Sequence, residues 1–317
     1  MTCTLTNKVV VITGGTRGIG LAIAEACAAE GAAVVIASRA GDAVAAAMAR
    51  LASGGARADG IACDVADARQ VEALADHAVR AFGCIDVWFN NAGIAAPYGP
   101  TLDIPPARFE RVVATNIIGT YHGSTTALRR FLAQGHGKLV NSVGRGERGP
   151  VALQSPYASS KAWVRNFTLA MAKEYADRGV GIFGFNPGLT ITDLVTDLEV
   201  TPGQSEGVAV FGTVLRWLGH SVEVAAAKAA WVAGPETDGR TGRVYRVSTA
   251  ATLAVNLRNE VAGRLAGRPR KAVSMRVRTI GPDNDAGAAG SRRPWHHSAM
   301  TTQPPAADTS NVCSPPL

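Results

Sequence analysis

Tyr157 and Lys161 are the two residues whose types and spacing point most directly to chemistry. The stretch 158–176 has helical spacing, and residues four apart on a helix share one face. A free tyrosine has a pKa of about 10 and is a poor base at neutral pH. A neighbouring ammonium favours the phenolate, and lowering that pKa by about 3 takes roughly 4 kcal/mol. We predict that Lys161 lowers the pKa of Tyr157 and that Tyr157 transfers a proton.

A glycine-rich segment, TGGTRGIG at 13–20, follows the first apolar run and precedes a stretch with helical spacing. Glycines let such a loop turn tightly and approach a phosphate, to which the helix N-terminus offers free N–H groups. We expect Gly14 to make the turn, Gly18 to allow the approach and Gly20 to let the helix pack on the strand. Strand, loop and helix together predict a dinucleotide site. Its predicted contacts here are Gly14, Thr16, Arg17, Gly18, Ile19 and Gly20.

The second predicted strand ends at Ser38 and Arg39. A site for NAD commonly has an acidic residue at this point, where it holds the ribose 2′-hydroxyl. A guanidinium can instead hold a 2′-phosphate through charge-assisted hydrogen bonds. Arg17 offers a second positive charge from the glycine-rich segment. These positions predict a preference for NADP over NAD, and the alternative is that both arginines are ordinary surface charges.

Two further strand ends supply groups to the same predicted site. A third strand region ends at Cys63, Asp64 and Val65, where Asp64 is placed to accept a hydrogen bond from the adenine amino group. Asn91, Ala92 and Gly93 follow the fourth predicted strand, where small residues leave room for the adenosine ribose. Either stretch alone is also typical of an ordinary turn.

The elements that must position these residues alternate regularly over residues 1–250. Short β-branched runs predict strands at 9–13, 34–38, 85–90, 138–142, 180–186 and 244–247. Alanine-rich stretches with helical spacing lie at 21–30, 43–51, 68–82, 109–132, 158–176 and 222–233. This alternation predicts βαβ units and a parallel sheet covered on both faces, in a single α/β domain.

The chain has 317 residues and a net charge of +7, most of it beyond residue 250. Residues 1–250 hold 23 Lys and Arg against 21 Asp and Glu, and residues 251–317 hold 9 against 4. The near-neutral body predicts no nucleic-acid partner. We divide the chain into a domain at 1–250, a helix and an extended segment within 251–280, and a basic, proline-rich tail at 281–317 that we predict to be disordered.

The cysteines and the hydropathy exclude several other classes of protein. The five cysteines form no CxxC pair and join no histidine cluster at metal-ligand spacing. No apolar run approaches the roughly 18 residues of a membrane span. We predict a reduced, cytoplasmic protein with no metal site and no membrane partner.

Three motifs taken together resemble the short-chain dehydrogenase/reductase family. They are TGGTRGIG, the NNAG of residues 90–93 and the YASSK of residues 157–161, and the resemblance covers about residues 7–250. It implies a doubly wound Rossmann fold with a seven-stranded parallel sheet and helices on both faces, here with a C-terminal extension. It also implies a small carbonyl or alcohol substrate and a homodimer or homotetramer. It assigns a catalytic role to Asn116, linked through water to Lys161, and cofactor contacts to Pro187, Gly188, Thr190 and Thr192. Tyr157 and Lys161, besides their catalytic roles, are also predicted to contact the cofactor.

One position departs from the family pattern. The family usually has a serine about 13 residues before the tyrosine, where it hydrogen-bonds the substrate oxygen, and this chain has Gly144 there. Ser142 comes two residues before Gly144, so it has the same strand parity and is expected on the same face, about 6–7 Å earlier along the strand. Ser155, beside the tyrosine, is another candidate. We favour Ser142 as a catalytic residue, and the alternative is a strand-end hydroxyl without such a role.

The segment 189–221, which the family uses as a variable substrate lid, is rich in large apolar residues. They are Leu194, Leu198, Val208, Val210, Phe211, Leu215, Trp217 and Leu218. They predict an apolar or aromatic substrate, and packing on the body is the alternative. The leading hypothesis is an NADP(H)-dependent oxidoreductase that interconverts a carbonyl and an alcohol. In it, the cationic nicotinamide ring of the oxidised cofactor helps Lys161 to lower the pKa of Tyr157. The alternatives are a dinucleotide-binding sensor or scaffold with little turnover, which Gly144 favours, and an interaction protein that acts through its tail.

Overall fold

The computed structural model describes residues 4–265 and 273–281, so all but the first residue of the predicted tail at 281–317 lies outside the described residues. The strands are β1 (Val9–Thr13), β2 (Ala33–Ser38), β3 (Arg57–Ala62), β4 (Val87–Asn90), β5 (Gly137–Ser142), β6 (Val180–Asn186), β7 (Asp197–Val200), β8 (Arg243–Arg246) and β9 (Arg276–Thr279). The α-helices are α1 (Gly18–Ala29), α2 (Gly41–Ser53), α3 (Ala68–Phe82), α4 (Pro106–Val112), α5 (Gly119–Gln134), α6 (Ser155–Glu174), α7 (Asp193–Thr196), α8 (Ser205–Ala209), α9 (Phe211–Leu218), α10 (Val222–Ala233) and α11 (Thr249–Leu265).

Seven of these strands form one sheet in the order β3-β2-β1-β4-β5-β6-β8, with every neighbouring pair parallel. The strand order reverses between β1 and β4. The carboxyl ends of parallel strands share one edge of a sheet, and ligands of such folds bind outside that edge at the reversal. The prediction of a doubly wound fold with a seven-stranded parallel sheet is therefore confirmed.

Helices cover both faces of the sheet, and successive strand residues alternate between two cores. On one face, Ile12 and Ile36 pack in a cluster with residues of α1 and α10. On the other face, Val11 and Trp88 pack with residues of α3, α5 and α6. Because both faces are covered, all five residues of β1 are buried and its sequence is continuously apolar up to Thr13.

Two elements differ from the predicted ones. The predicted helix at 109–132 is interrupted, because a π-helical turn over Val113–Ile118 separates α4 from α5. Strand β3 has no fully buried residue, since it lies at the sheet edge. Its sequence therefore lacks the apolar run by which the other strands were predicted.

Beyond residue 250, α11 packs against α9 and β9 forms a two-stranded parallel sheet with β7. Buried Glu260 of α11 accepts hydrogen bonds from Arg216 of α9 at 2.7 Å and from Arg264 at 2.9 Å. These contacts attach the C-terminal segment to the predicted lid. Among the described residues, no helix combines the length and the apolar character that crossing a membrane requires.

Candidate active site

The glycine-rich segment forms a tight turn at the carboxyl end of β1. Gly14 and Gly18 have φ values of +66° and +54°, in the left-handed region that favours glycine. A Cβ on Gly20 would overlap the Gly14 carbonyl, so α1 packs directly on the turn. The Asn91 side chain donates hydrogen bonds to the carbonyls of Thr13 and Gly14 at 3.0 and 3.2 Å. This amide therefore fixes the shape of the turn.

A cavity of about 420 Å³ opens beside this turn. The predicted cofactor contacts that line it are Gly14, Thr16, Arg17, Gly18, Ile19, Gly20, Ser38, Arg39, Asp64, Val65, Asn91, Ala92, Gly93 and Thr192. The Thr192 side chain lies beside the glycine-rich segment, 3.6 Å from the point where a Cβ on Gly18 would be. A glycine wall, a helix N-terminus and two arginines fit a dinucleotide with its phosphates against α1. We refer to this cavity as the cofactor cleft.

The polar residues at the adenosine end of the cofactor cleft are exposed or only partly buried. Arg39 is exposed and Ser38 is partly buried. Arg17 is also exposed, and its guanidinium lies 3.7 Å from Asp193 at the start of α7. One Asp64 carboxylate oxygen accepts a hydrogen bond from the Ala66 N–H at 3.0 Å. These side chains are placed to meet the adenosine half of a dinucleotide.

Lys161 and Asn116 are buried at the carboxyl edge of the sheet. The Lys161 Nζ donates to the Ser142 carbonyl at 2.9 Å. Asn116, in the π-helical turn, bonds both the N–H and the carbonyl of Ile94 at 2.9 Å. Its Oδ1 and the Lys161 Nζ each lie 3.5 Å from where a Cβ on Gly93 would be. Gly93 therefore lies between these two groups, at the inner end of the cofactor cleft.

The pKa values of Tyr157 and Lys161 in this structure both reflect burial. Burial raises the pKa of the Tyr157 phenol to about 12 and lowers that of the Lys161 ammonium to about 8. The Lys161 Nζ lies 5.8 Å from the centre of the Tyr157 ring. Desolvation, which disfavours the charged form of both groups, outweighs their attraction here. In this structure Tyr157 is a neutral phenol at pH 7. The lowering of its pKa by Lys161 together with an oxidised nicotinamide stays a prediction.

Gly144 lies where the family pattern requires a serine. A Cβ on Gly144 would be 2.9 Å from the Tyr157 Oη, so residue 144 faces the phenol directly. Of the two candidate substitutes, Ser142 holds Lys161 through its carbonyl. The Ser155 hydroxyl lies 2.7 Å from that of Thr101. Neither observation supplies a hydroxyl beside Tyr157.

Strand parity gives the direction of the Ser142 side chain. The neighbouring Asn141 amide donates to the Thr168 hydroxyl of α6 at 3.0 Å, so Asn141 faces α6. Successive strand residues face opposite sides of the sheet, which directs Ser142 to the face that α6 does not cover. Gly144 meets the Tyr157 phenol from beyond the end of β5, so the parity expected between residues 142 and 144 does not extend past the strand. The direction of the Ser142 side chain within the strand argues against Ser142 as the missing hydroxyl.

The turn after β6 forms another wall of the site. Gly188 has a φ of +72°, and its N–H donates to the Asn186 side chain at 2.9 Å. The Thr190 hydroxyl donates to the Pro187 carbonyl at 2.9 Å. Thr190 therefore stabilises the turn, and Thr192 is the member of this segment that lines the cofactor cleft.

The sequence analysis missed a buried ion pair behind this turn. Glu147 Oε1 accepts hydrogen bonds from the Arg246 Nε at 2.8 Å and from the Asn186 amide at 2.9 Å. Asn186 in turn accepts from the Gly188 N–H. The chain that runs from Gly144 to Glu147 is thereby joined to the turn at Gly188. Glu147 and Arg246 are 99 residues apart, and no local pattern indicates their contact.

We expect Arg246→Ala to lower the free energy of unfolding by about 3 kcal/mol. The Glu147 side chain is only 4% exposed, so its carboxylate would stay buried without a cationic partner. Urea denaturation measures the loss. Arg243→Ala, an exposed arginine on the same strand, is the matched control and should cost less than about 0.5 kcal/mol. Equal losses for the two variants would contradict the importance of the pair.

Four of the eight apolar residues of the predicted lid fall into two groups. Val208 and Leu215 are buried, as packing on the body requires. Leu194 and Leu198 line the cofactor cleft, and Leu194 is 40% exposed. Part of the lid therefore stabilises the fold and part remains open to a ligand.

Comparison with known proteins decides the family. The model of the short chain dehydrogenase family matches residues 8–202. The chain belongs to this family. The short-chain reductase protein NovJ of Streptomyces niveus is 35% identical over 76% of this chain and 92% of its own length. Levodione reductase of Leifsonia aquatica is also 35% identical, over 61% of this chain and 73% of its own.

Solved short-chain dehydrogenase structures share the fold. Gluconate 5-dehydrogenase from Burkholderia cenocepacia, in complex with NADP and tartrate, superposes with a TM-score of 0.70. It is 29% identical, and the match covers 80% of this chain and 98% of that one. A variant of actinorhodin polyketide ketoreductase with NADPH also gives 0.70, at 27% identity over 77% and 97% of the two chains. The protein is a short-chain dehydrogenase that interconverts carbonyl and alcohol groups with NAD(P).

Proposed function

We propose that this short-chain dehydrogenase uses NADPH to reduce the carbonyl group of a small, largely apolar molecule. The observation that carries the proposal is the position of Tyr157. Its neutral phenol faces Gly144 at the carboxyl edge of the sheet, and Lys161 of the same helix reaches Gly93 at the inner end of the cofactor cleft. A neutral phenol is a proton donor, and reduction of a carbonyl needs one.

The buried residues have separate roles in the reaction at the substrate oxygen. The bound nicotinamide supplies the hydride. Tyr157 donates the proton to the carbonyl oxygen, and the Lys161 ammonium stabilises the phenolate that this leaves. The Ser142 carbonyl fixes Lys161, and Asn116 fixes the segment at Ile94. In this account Ser142 acts through its main chain, and its hydroxyl is not required.

The preference for NADP over NAD rests on Ser38, Arg39 and Arg17. All three line the cofactor cleft, and Ser38 stands where an acidic residue would repel a 2′-phosphate. Two structural relatives were solved with NADP or NADPH, which supports the same preference. An exposed guanidinium such as that of Arg39 is free to form the bidentate contact that a phosphate favours.

Arg39→Asp should weaken NADPH binding relative to NADH by about 1–3 kcal/mol, through lost charge-assisted hydrogen bonds and added repulsion. Fluorescence titration of each cofactor measures the ratio of the two dissociation constants. Arg80→Asp, an exposed position in the last turn of α3, changes the net charge equally and should leave the ratio unchanged. If Arg39→Asp also leaves it unchanged, Arg39 does not bind the 2′-phosphate.

The same proposal includes an oligomer and a cytoplasmic location. Trp163 stacks on Phe167 at 4.7 Å, and Phe167 contacts Tyr121, which is 49% exposed, at 5.8 Å. This aromatic cluster joins α5 and α6 and is suited to packing against a second copy. Packing of Phe167 into its own core is the alternative, and light scattering of the purified chain distinguishes the two.

Consumption of NADPH in the presence of a panel of apolar ketones tests the proposed function. We expect steady turnover with at least one ketone, and little with NADH in its place. The competing function, a dinucleotide-binding sensor or scaffold, is favoured by Gly144. It predicts micromolar binding of NADPH with no turnover on any ketone, whereas Lys161 and Asn116 have no evident use in a protein that only binds.

A further inference from the structure

Strand β9, which lies outside the seven-stranded sheet, adds a cationic side chain to the cofactor cleft. It pairs with β7 in parallel, with Arg276 opposite Asp197 and Arg278 opposite Glu199. The Ile280 N–H donates to the Val200 carbonyl at 2.9 Å and extends this pairing. Of the two β9 arginines, Arg278 is the one that lines the cleft.

The lid wall of the cofactor cleft is acidic. Asp193, Asp197 and Glu199 all line it. A dinucleotide carries at least two phosphate charges, and like charges a few ångströms apart repel each other near a protein surface. An acidic wall over a phosphate site is unfavourable unless cations neutralise it.

Each of these three carboxylates has an arginine beside it. Arg17 lies 3.7 Å from Asp193, and Arg108 lies 3.1 Å from Glu199. The closest cation to Asp197 is Arg278, at 3.1 Å, and Arg276 is more distant at 3.9 Å. Asp197 is about one-third exposed, so its charge is only partly screened by water. The neutralisation of Asp197 therefore depends mainly on the C-terminal strand.

We propose that Arg278 is a cofactor-binding residue, which neutralises Asp197 and so allows the phosphates of a dinucleotide to bind beneath the lid. This inference rests on the proposed function only in taking the cleft as a dinucleotide site. It makes β9, which lies more than 70 residues beyond β7 in sequence, a functional part of that site. The pyrophosphate is common to both cofactors, so Arg278 should support NADPH and NADH alike.

The test measures dissociation constants of NADPH and NADH for the full chain by nicotinamide fluorescence. Arg278→Gln should raise both constants about 3- to 10-fold at low salt, and the effect should shrink in about 1 M salt because the charges are then screened. Arg276→Gln, on the same strand and also beside Asp197, is the matched control and should change either constant less than about 2-fold. Asp197→Asn added to Arg278→Gln should restore the affinity, since it removes the carboxylate that Arg278 neutralises.

The outcomes separate this inference from the proposed function. If the wild-type chain binds NADPH and Arg278→Gln binds it as tightly, the role of Arg278 is refuted and the proposed function stands. A loss that Asp197→Asn does not restore, or that salt does not reduce, would show a structural effect and would also refute the role. A wild-type chain that binds neither dinucleotide would overturn both.

Discussion

Replacing Tyr157 by phenylalanine should lower kcat by about 10³-fold or more while the NADPH dissociation constant stays within a few-fold of wild type. The phenyl ring keeps the packing of Tyr157 on α6 and removes only the hydroxyl. That hydroxyl faces residue 144, where the substrate oxygen has to lie. Steady-state kinetics and fluorescence titration on the same preparation give the two numbers.

Tyr175→Phe is the matched control for this substitution. Tyr175 caps the opposite end of α6, so the variant removes a tyrosine hydroxyl from the same helix far from the cofactor cleft. We expect it to retain nearly full activity. If Tyr157→Phe also retains most of its activity, another group donates the proton and the assignment of Tyr157 is wrong.

Gly144→Ser should raise kcat/KM by about 10²-fold, because a hydroxyl at this point would stabilise charge that develops on the substrate oxygen. Gly144 does not have a left-handed φ, so its backbone accepts a side chain. The added Cβ would lie 2.9 Å from the Tyr157 Oη, and the phenol has to shift by a few tenths of an ångström. The activity of Gly144→Ser therefore reflects two effects, the added hydroxyl and the steric contact of the added Cβ with the Tyr157 phenol.

Gly144→Ala separates these two effects, since it adds the same Cβ without the hydroxyl. We expect the alanine variant to be slower than wild type. The serine variant should exceed the alanine variant by about 10²–10³-fold in kcat/KM. Ser142→Ala and Ser155→Ala should stay near wild type. A serine variant no faster than the alanine variant would refute the hydroxyl argument. A large loss in Ser142→Ala would restore Ser142 as the donor.

The sheet could be predicted from the sequence because both of its faces are covered. A strand such as β1 is apolar up to its last residue, Thr13, and glycines mark the turn at its end. Strand β3 shows the limit of this reasoning. It lies at the sheet edge, has no buried residue and carries no apolar run. The π-helical turn at Asn116 was missed for a different reason, since its residues have the same spacing as an ordinary helix.

Much of the lining of the cofactor cleft could be predicted because those residues lie at or just after the ends of β1 to β4. The contacts between distant segments could not. Glu147 meets Arg246, and Arg278 meets Asp197, only after the chain has folded. Sequence spacing indicates that Lys161 is near Tyr157, but it does not show how deeply the phenol is buried. In this structure burial raises the pKa of Tyr157 to about 12.

The most direct test of the account follows the hydride itself. The wild-type chain is incubated with an apolar ketone and NADPH that carries deuterium at the transferable position of its nicotinamide ring, and the product is analysed by mass spectrometry. We predict an alcohol with one deuterium on the former carbonyl carbon, and almost none of it from Tyr157→Phe. A chain that binds NADPH tightly but yields no deuterated alcohol from any ketone of the panel would contradict the account and favour a binding protein.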